Sequence, residues 1–473
     1  MTSKTDLMKA RTTGGGLVAA LGALLALASA QAAEFRAGDY GARGDGGTVD
    51  TAAIQKAIDA AAPRKGTVVF KPGVYLTGAL FLKSGAHLRL DEGVEIRGVQ
   101  DTSAYPDMRT RIAGIEMTWP AALINVCRQS NVQISGRGVI DGNGKLWWDK
   151  YWAMRKEYEA KGLRWAVDYD CKRVRLIQVY ESSNVNLQGV TLKRPGFWTV
   201  HICYSDRVTV DGLIIRNNTD GRGPSTDGID VDSSSNVLVQ RCDLECNDDA
   251  LCLKAGRDAD GLRVNRPTRK VVVRDCIIRG GAAGITIGSE TSGGIRDVEV
   301  YRLQILRPVP NGILFKSART RGGTIQDIVI RNLDMQGVPT PVSIDLNWNP
   351  SYSYGRLPEG VQDVPEYWKV LTQPVPPEMG LPHFRNVRIS DIKATGAQRA
   401  FAVRAYLGAP LRDFRFTNVE IEAKTAGVIQ NAENWTFVNT RLKTADGSRV
   451  ALEDCRGVTG LAVLSLDSGL RQR

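Results

Sequence analysis

The sequence predicts an all-β chain wound as a single-domain parallel β-helix with an N-terminal capping helix, and three observations carry that prediction. A short pattern of alternating apolar residues returns ten times after Asn131, starting at Val132, Val185, Val208, Val237, Val271, Val298, Ile328, Val387, Phe414 and Trp435. Segments such as VQI, VNL, VTV, VLV and VVV read as strands with one buried face, and Gly, Asn and Asp punctuate the turns between them. A period of 21 to 34 residues means that each coil buries its apolar row only by stacking on its neighbours. Neither the hairpin turns of a sandwich nor the four strands per repeat of a propeller are visible.

At the N-terminus, Lys4, Lys9 and Arg11 precede an apolar run from Leu17 to Ala28 and the small-residue site Ala30-Gln31-Ala32. This is the pattern of a cleaved export signal over residues 1–32. The run is shorter than the roughly 20 residues that span a bilayer. Residues 33–473 are therefore expected as the mature chain, secreted or periplasmic and free of the membrane. The stretch TAAIQKAIDAAA, Thr51 to Ala62, has helical periodicity with Asp50 or Thr51 as its cap, and it would cover the open end of the solenoid. Strands are expected at Thr67 to Phe70, Ala79 to Leu82 and His87 to Leu90.

Two spacings, of 53 and 59 residues, depart from the period and mark insertions. The first, Lys145 to Trp165, carries Trp147, Trp148, Tyr151, Trp152, Tyr158 and Trp165. The second, Trp348 to Pro382, is proline-rich and carries Tyr352, Tyr354, Tyr367 and Trp368. Aromatic rings on such loops either stack on sugar faces or pin the loop to the scaffold.

Lys and Arg number 62 against 51 Asp and Glu, and removing the signal leaves an excess of nine. The basic residues are scattered and form no nucleic-acid module, so the expected partner is an acidic polysaccharide rather than a nucleic acid. The eight cysteines match no zinc spacing and no small disulfide scaffold. Cys242 and Cys276 occupy the same place in successive repeats and read as stacked core residues. No cofactor or metal is expected, and a monomer is.

The richest chemistry lies in STDGIDVDSS, Ser225 to Ser234, and CNDDALCLKAG, Cys246 to Gly256. Asp227 and Asp248 are 21 residues apart, about one coil, which would place them side by side. Stacked carboxylates repel, and one stays protonated near neutral pH. A protonated carboxyl beside ionised carboxylates is what glycoside hydrolysis requires. Strict alternation would bury Asp227 with Ile229 and Val231, so a bend at Gly228 must turn it outward. The same residues can also cap turns, bind calcium or form a solvated edge.

The chain resembles the polygalacturonase-like enzymes of glycoside hydrolase family 28. The resemblance rests on DYGARGDG (Asp39 to Gly46), GVIDGNG (Gly138 to Gly144), FWTVH (Phe197 to His201), STDGID, NDDALCLKAG, GITIGSETSGG (Gly284 to Gly294) and GILFKS (Gly312 to Ser317). It implies a right-handed parallel β-helix and an inverting hydrolase of pectic polysaccharide, of galacturonan or rhamnogalacturonan type. Asp248 is implied as general acid, and Asp227 and Asp249 as the pair that holds and deprotonates the attacking water. Asp230 and Lys316 match further binding positions, and Lys254 and Arg257 are candidates to hold uronate groups. Two positions depart from the family: Gly281-Ala282-Ala283-Gly284 stands where many members have Gly-His-Gly, and Leu314 replaces the arginine of Arg-x-Lys. Leucine cannot fork a carboxylate, so the sugar on one side of the scissile bond is allowed to be neutral. His201 is expected to be structural. A groove closed by the two insertions would release end units. The rival readings are a calcium-dependent lyase and a non-catalytic polysaccharide-binding β-helix.

Overall fold

The computed structural model describes residues 33–360, 363–461 and the backbone of 463–466, so the expected export signal lies outside the described residues. The ten repeat starts form one continuous row. Val132, Val185, Val208, Val237, Val271, Val298, Ile328, Val387 and Phe414 sit opposite one another in successive parallel strands. The next coil stacks the Trp435 ring on Phe414 with centroids 4.6 Å apart. The residue just before each start, from Asn131 to Asn434, has φ between 52° and 58°. Eight of these ten residues are Asn or Asp, the side chains that best tolerate left-handed backbone, so each coil bends at the same place.

The result is a right-handed parallel β-helix around one apolar core that runs from Phe35 to Val450. Cys242 and Cys276 lie in that core, and none of the eight cysteines is in a disulfide. The cap helix spans Thr51–Ala61 and buries Ile54, Ala57 and Ile58. Asp50 does not cap it by side chain: its carboxylate accepts the backbone N–H groups of Arg43 and Gly44 at 2.8 and 2.9 Å. Thr51 Oγ1 is likewise taken, by the N–H of Gly78 at 2.8 Å. The early strands run Thr67–Val69, Leu80–Phe81 and His87–Leu90, joined by Gly73–Thr77 and Val94–Gly98. Among the described residues no helix is long and apolar enough to cross a membrane.

Three excursions leave the coils and meet on one face. The first insertion forms helices Lys145–Ala160 and Val167–Asp170, and the second forms Pro350–Ser353, Glu366–Thr372 and Pro377–Gly380. The third is an antiparallel hairpin, Asp107–Ile112 with Ile115–Pro120, which the sequence reading did not anticipate. Its two-residue turn puts both Ala113 and Gly114 at positive φ, the geometry that matches strand twist in tight hairpins. All three share a second apolar cluster of Ile112, Trp119, Trp165, Trp198, Trp368 and Leu371. Trp165 meets Trp368 edge-on at 4.9 Å, and Asp170 accepts Tyr367 Oη–H at 2.6 Å and Trp368 Nε1–H at 3.0 Å. Trp165, Tyr367 and Trp368 therefore pin the two insertions to each other, while Trp147 and Trp148 tie the first insertion to the coils.

Candidate active site

One sheet carries the site through the strands Val200–Cys203, Ile229–Asp232, Leu251–Lys254, Ala283–Ile287 and Asn311–Lys316. Val200, Ile229, Leu251, Ile285 and Ile313 face the core in register, while His201, Asp230, Cys252, Thr286 and Leu314 form the outward row. A Cβ on Gly228 would fall 2.9 Å from the core Sγ of Cys246. Gly228 thus points inward next to inward-facing Ile229, the alternation breaks, and Asp227 is carried to the outer face. The Ile229–Leu251 pairing is an offset of 251 − 229 = 22 residues, so the rung partner of Asp227 is Asp249, with Asp248 one residue earlier. The expected side-by-side pair of Asp227 and Asp248 was one residue out of step.

Asp227, Asp248 and Asp249 nevertheless converge, with one carboxylate oxygen from each within 4.8 Å of the others. Two ammonium groups neutralise part of this charge. Lys316 Nζ lies 2.6 Å from Asp249 Oδ2, and Thr286 Oγ1 donates to Asp249 Oδ1 at 2.9 Å. Lys254 Nζ reaches Asp227 and Asp230 at 3.5 Å each and Glu290 at 3.4 Å, over the ring of Trp198 at 5.0 Å. Asp248 has no ion-pair partner among the described residues and accepts the N–H of Asp249 at 2.9 Å.

These placements set the charges. Burial, with the charges of Asp230 and Asp248 next, pushes Asp227 well above the usual carboxylate range. Burial and the Asp249 charge raise Asp248 as well. One proton within the cluster relieves that repulsion, while Lys254 draws Asp227, and Lys316 and Lys254 draw Asp248, back toward the ionised form. Burial pushes Asp230 up to about 7 against the pull of Lys254. Burial opposes the charge on Glu290 too, but Lys254, Arg321 and Lys316 outweigh it and hold this carboxylate well below its ordinary range. Burial is similarly outweighed at Lys254 and Lys316 by the anions around them, and both stay charged.

The pocket around the cluster is lined by Ala113 of the hairpin, Arg164 and Asp168 of the first insertion, Trp198 and Ser225, Ser289 and Glu290, and Trp348, Asn349 and Tyr352 of the second insertion. Asp227, Asp248, Lys254 and Lys316 complete it. Asp230 and Asp249 lie behind that lining, fully buried.

Arg257 departs from expectation: it does not line the pocket. Its guanidinium is fully buried and spent on Tyr169 Oη at 2.8 Å, Asp258 at 3.1 Å and the carbonyls of Tyr352 and Ser353 at 2.8 and 3.1 Å. Its own N–H bonds the carbonyl of Gly114 at 2.9 Å. Arg257 thus ties together all three excursions. His201 is buried between Arg175 at 2.9 Å and Asp232 at 3.6 Å, and burial pushes its ring down to about 4, which leaves it neutral and structural. Glu290 and Arg164 were not singled out from sequence, although Glu290 lies inside the GITIGSETSGG segment.

The sequence profile of glycosyl hydrolases family 28 matches residues 69–364, and that of rhamnogalacturonase A/epimerase, pectate lyase-like proteins matches residues 35–89. A probable polygalacturonase of Vitis vinifera is 31% identical over 310 residues, which is 63% of this chain and 60% of that one. An exo-poly-alpha-D-galacturonosidase of Dickeya chrysanthemi is 27% identical over 367 residues, 68% of this chain and again 60% of the relative. The chain thus spans about three fifths of the length of these two relatives. The crystal structure of a hyperthermoactive exopolygalacturonase from Thermotoga maritima superposes with a TM-score of 0.71 at 25% identity, covering 90% of this chain and 92% of that one. With the three aspartates on adjacent rungs of a β-helix and the family profile matched over more than half its length, the chain belongs to the glycosyl hydrolases of family 28.

Proposed function

We propose that this chain hydrolyses the glycosidic bonds of a pectic galacturonan, releasing units from a chain end. The observation that carries the proposal is the convergence of Asp227, Asp248 and Asp249 within 4.8 Å at a pocket that also holds Lys254 and Lys316. Asp248 protonates the leaving glycosidic oxygen. Asp227 and Asp249 hold the attacking water, and Asp227 takes its proton. Lys254 favours the ionised form of Asp227 against burial, Lys316 is paired with Asp249, and burial with the Asp249 charge favours the protonated form of Asp248. The exo mode is supported by the three excursions that wall the pocket, and by the exo-acting names of two relatives.

The oxygen separation within 4.8 Å is shorter than the roughly 6.5–9.5 Å of two-carboxylate inverting sites and closer to the roughly 5–5.5 Å of retaining ones. Inversion is supported by the third carboxylate, which lets two groups share one water, and by Asp249 being pinned by Lys316 and Thr286 rather than free to attack. NMR of the first product decides it: inversion of an α-linkage releases the β-anomer, whereas retention releases the α-anomer.

Activity itself is tested with purified protein on polygalacturonate and rhamnogalacturonan, following reducing ends and ultraviolet absorbance together, with and without chelator. New reducing ends without absorbance, insensitive to chelator and lower by roughly 10²–10⁴-fold in Asp248→Asn, are expected. Absorbance that chelator abolishes would make the chain a lyase, and binding without turnover would make it an adhesive β-helix. Export through the leader of residues 1–32 and action as a monomer belong to the same proposal. A mature N-terminus at Ala33 in secreted material and a monomer mass by light scattering are the expected results.

A further inference from the structure

We infer that Arg164, carried by the first insertion, receives the carboxylate of the terminal uronate and replaces the arginine that the strand position of Leu314 no longer supplies. The inference rests on the end-acting hydrolase reading and names the acid group that the site selects.

Three cations line the pocket: Arg164, Lys254 and Lys316. Lys316 is held at 2.6 Å by Asp249, and Lys254 is shared by Asp227, Asp230 and Glu290. Arg164 is different. Its one hydrogen bond among the described residues runs from Nη1 to Asp168 Oδ2 at 2.7 Å. Nε has no hydrogen-bond partner and stands 3.8 Å from Glu159 Oε1. The guanidinium lies over the ring of Tyr352, centroid 5.1 Å away, which fixes its plane beside the pocket.

Asp168 has other donors on its second oxygen: Arg173 Nη2 at 2.8 Å and Ser225 Oγ at 3.1 Å both bind Oδ1, while Arg164 uses Nη1 alone on Oδ2. One carboxylate therefore faces two guanidinium groups and a hydroxyl, and Arg164 is the cation with donors to spare. Its side chain is 12% exposed, so the charge is largely desolvated. A planar guanidinium with free N–H groups matches a carboxylate better than it matches a hydroxyl or an ester. Leu314 sits in the outward row beside Thr286, 1% exposed and without charge. The anion contact is then supplied from the first insertion instead of from the strand. The departure at Leu314 therefore calls for no neutral sugar: the substrate is a chain ending in a free uronic acid.

The test is the ratio of kcat/KM for trigalacturonate as the free acid to that for its methyl ester, measured on one sample, so that the fraction of folded enzyme cancels. The parent is expected to prefer the acid. Arg164→Gln is expected to raise KM for the acid roughly 10- to 100-fold, as for a lost charge-assisted contact, and to bring the ratio close to one. Arg164→Lys, which keeps a charge but not the fork, is expected to fall between. A preference for the acid that survives in Arg164→Gln, or a parent with no preference, would overturn the inference. A parent that releases no reducing ends from any galacturonan would instead sink the hydrolase reading, and this inference with it.

Discussion

Replacing Lys254 by methionine tests the electrostatic core of the site. The ammonium lies 3.5 Å from Asp227, 3.5 Å from Asp230 and 3.4 Å from Glu290, and all four side chains are buried. A pair at about 4 Å and an effective dielectric near 20 is worth about 4 kcal/mol before desolvation is subtracted. The net cost of breaking a buried pair from one side is about 3–5 kcal/mol. Asp227 and Asp230 would recover part of this by taking up protons. An opposite charge at this range ordinarily lowers a carboxylate pKa by roughly 1–3. Without it, Asp227, the base of the proposed reaction, deprotonates only at higher pH. The rising limb of kcat against pH should therefore move upward by roughly 1–3 pH units, with activity at mildly acid pH falling at least tenfold. Reducing-end release from pH 4 to 8, alongside thermal unfolding across the same range, measures both effects. A Lys254→Met protein that keeps the parental pH profile would refute the assignment of Lys254 as the group that favours the ionised form of Asp227.

Asp230→Asn should stabilise the protein at alkaline pH. Neither oxygen of Asp230 has a hydrogen-bond partner among the described residues, and its carboxyl is pushed up to about 7 from an ordinary 3.8. A group whose folded pKa is raised is bound most comfortably when protonated. The parent therefore loses stability as pH rises from about 4 to 7, and the variant's advantage grows over that window to a ceiling of about 4 kcal/mol and vanishes below it. Urea unfolding of both proteins at pH 4 and pH 8 checks the sign. Arg257→Met should cost about 3 kcal/mol and release longer oligomers in place of single units, because Tyr169, Gly114 and the carbonyls of Tyr352 and Ser353 share that one residue as an anchor. Unfolding and product sizing report the two outcomes separately.

The coils were legible in the sequence because stacking repeats one register: residues chosen only for their alternation proved to be rung partners from Val132 to Phe414. The three aspartates were legible as a cluster, but not their alignment, since the pairing offset of 22 residues is fixed by turns whose lengths vary. Charge misled at Arg257. A basic residue eight positions beyond Asp249 reads equally well as a groove cation or as a buried tie, and only the hairpin and the insertions that close over it decide. The hairpin itself gave little signal, because its strands are six residues each and belong to no repeat. Asp50 had the right identity for a cap, yet the chain folding back at Arg43 and Gly44 offered its carboxylate better donors.

That hairpin changes how the molecule comes apart. A bare solenoid couples each turn only to the next, and it can fray from either end in small steps. Here Arg111 reaches Asp232 at 2.8 Å, Glu116 accepts Arg263 at 2.7 Å, and the backbone N–H of Glu116 bonds Asp260 at 2.8 Å. These bonds leap three to four rungs, from the level of Ile124 to those of Ile229 and Leu251. The turns between those levels are bolted into one cooperative block, whereas the coils past Phe414 remain a row of separable layers. Amide hydrogen exchange should then be nearly uniform across the strands that carry the aspartates and graded toward the C-terminal end, so that the chain can lose its outermost turns without loosening the three clustered aspartates.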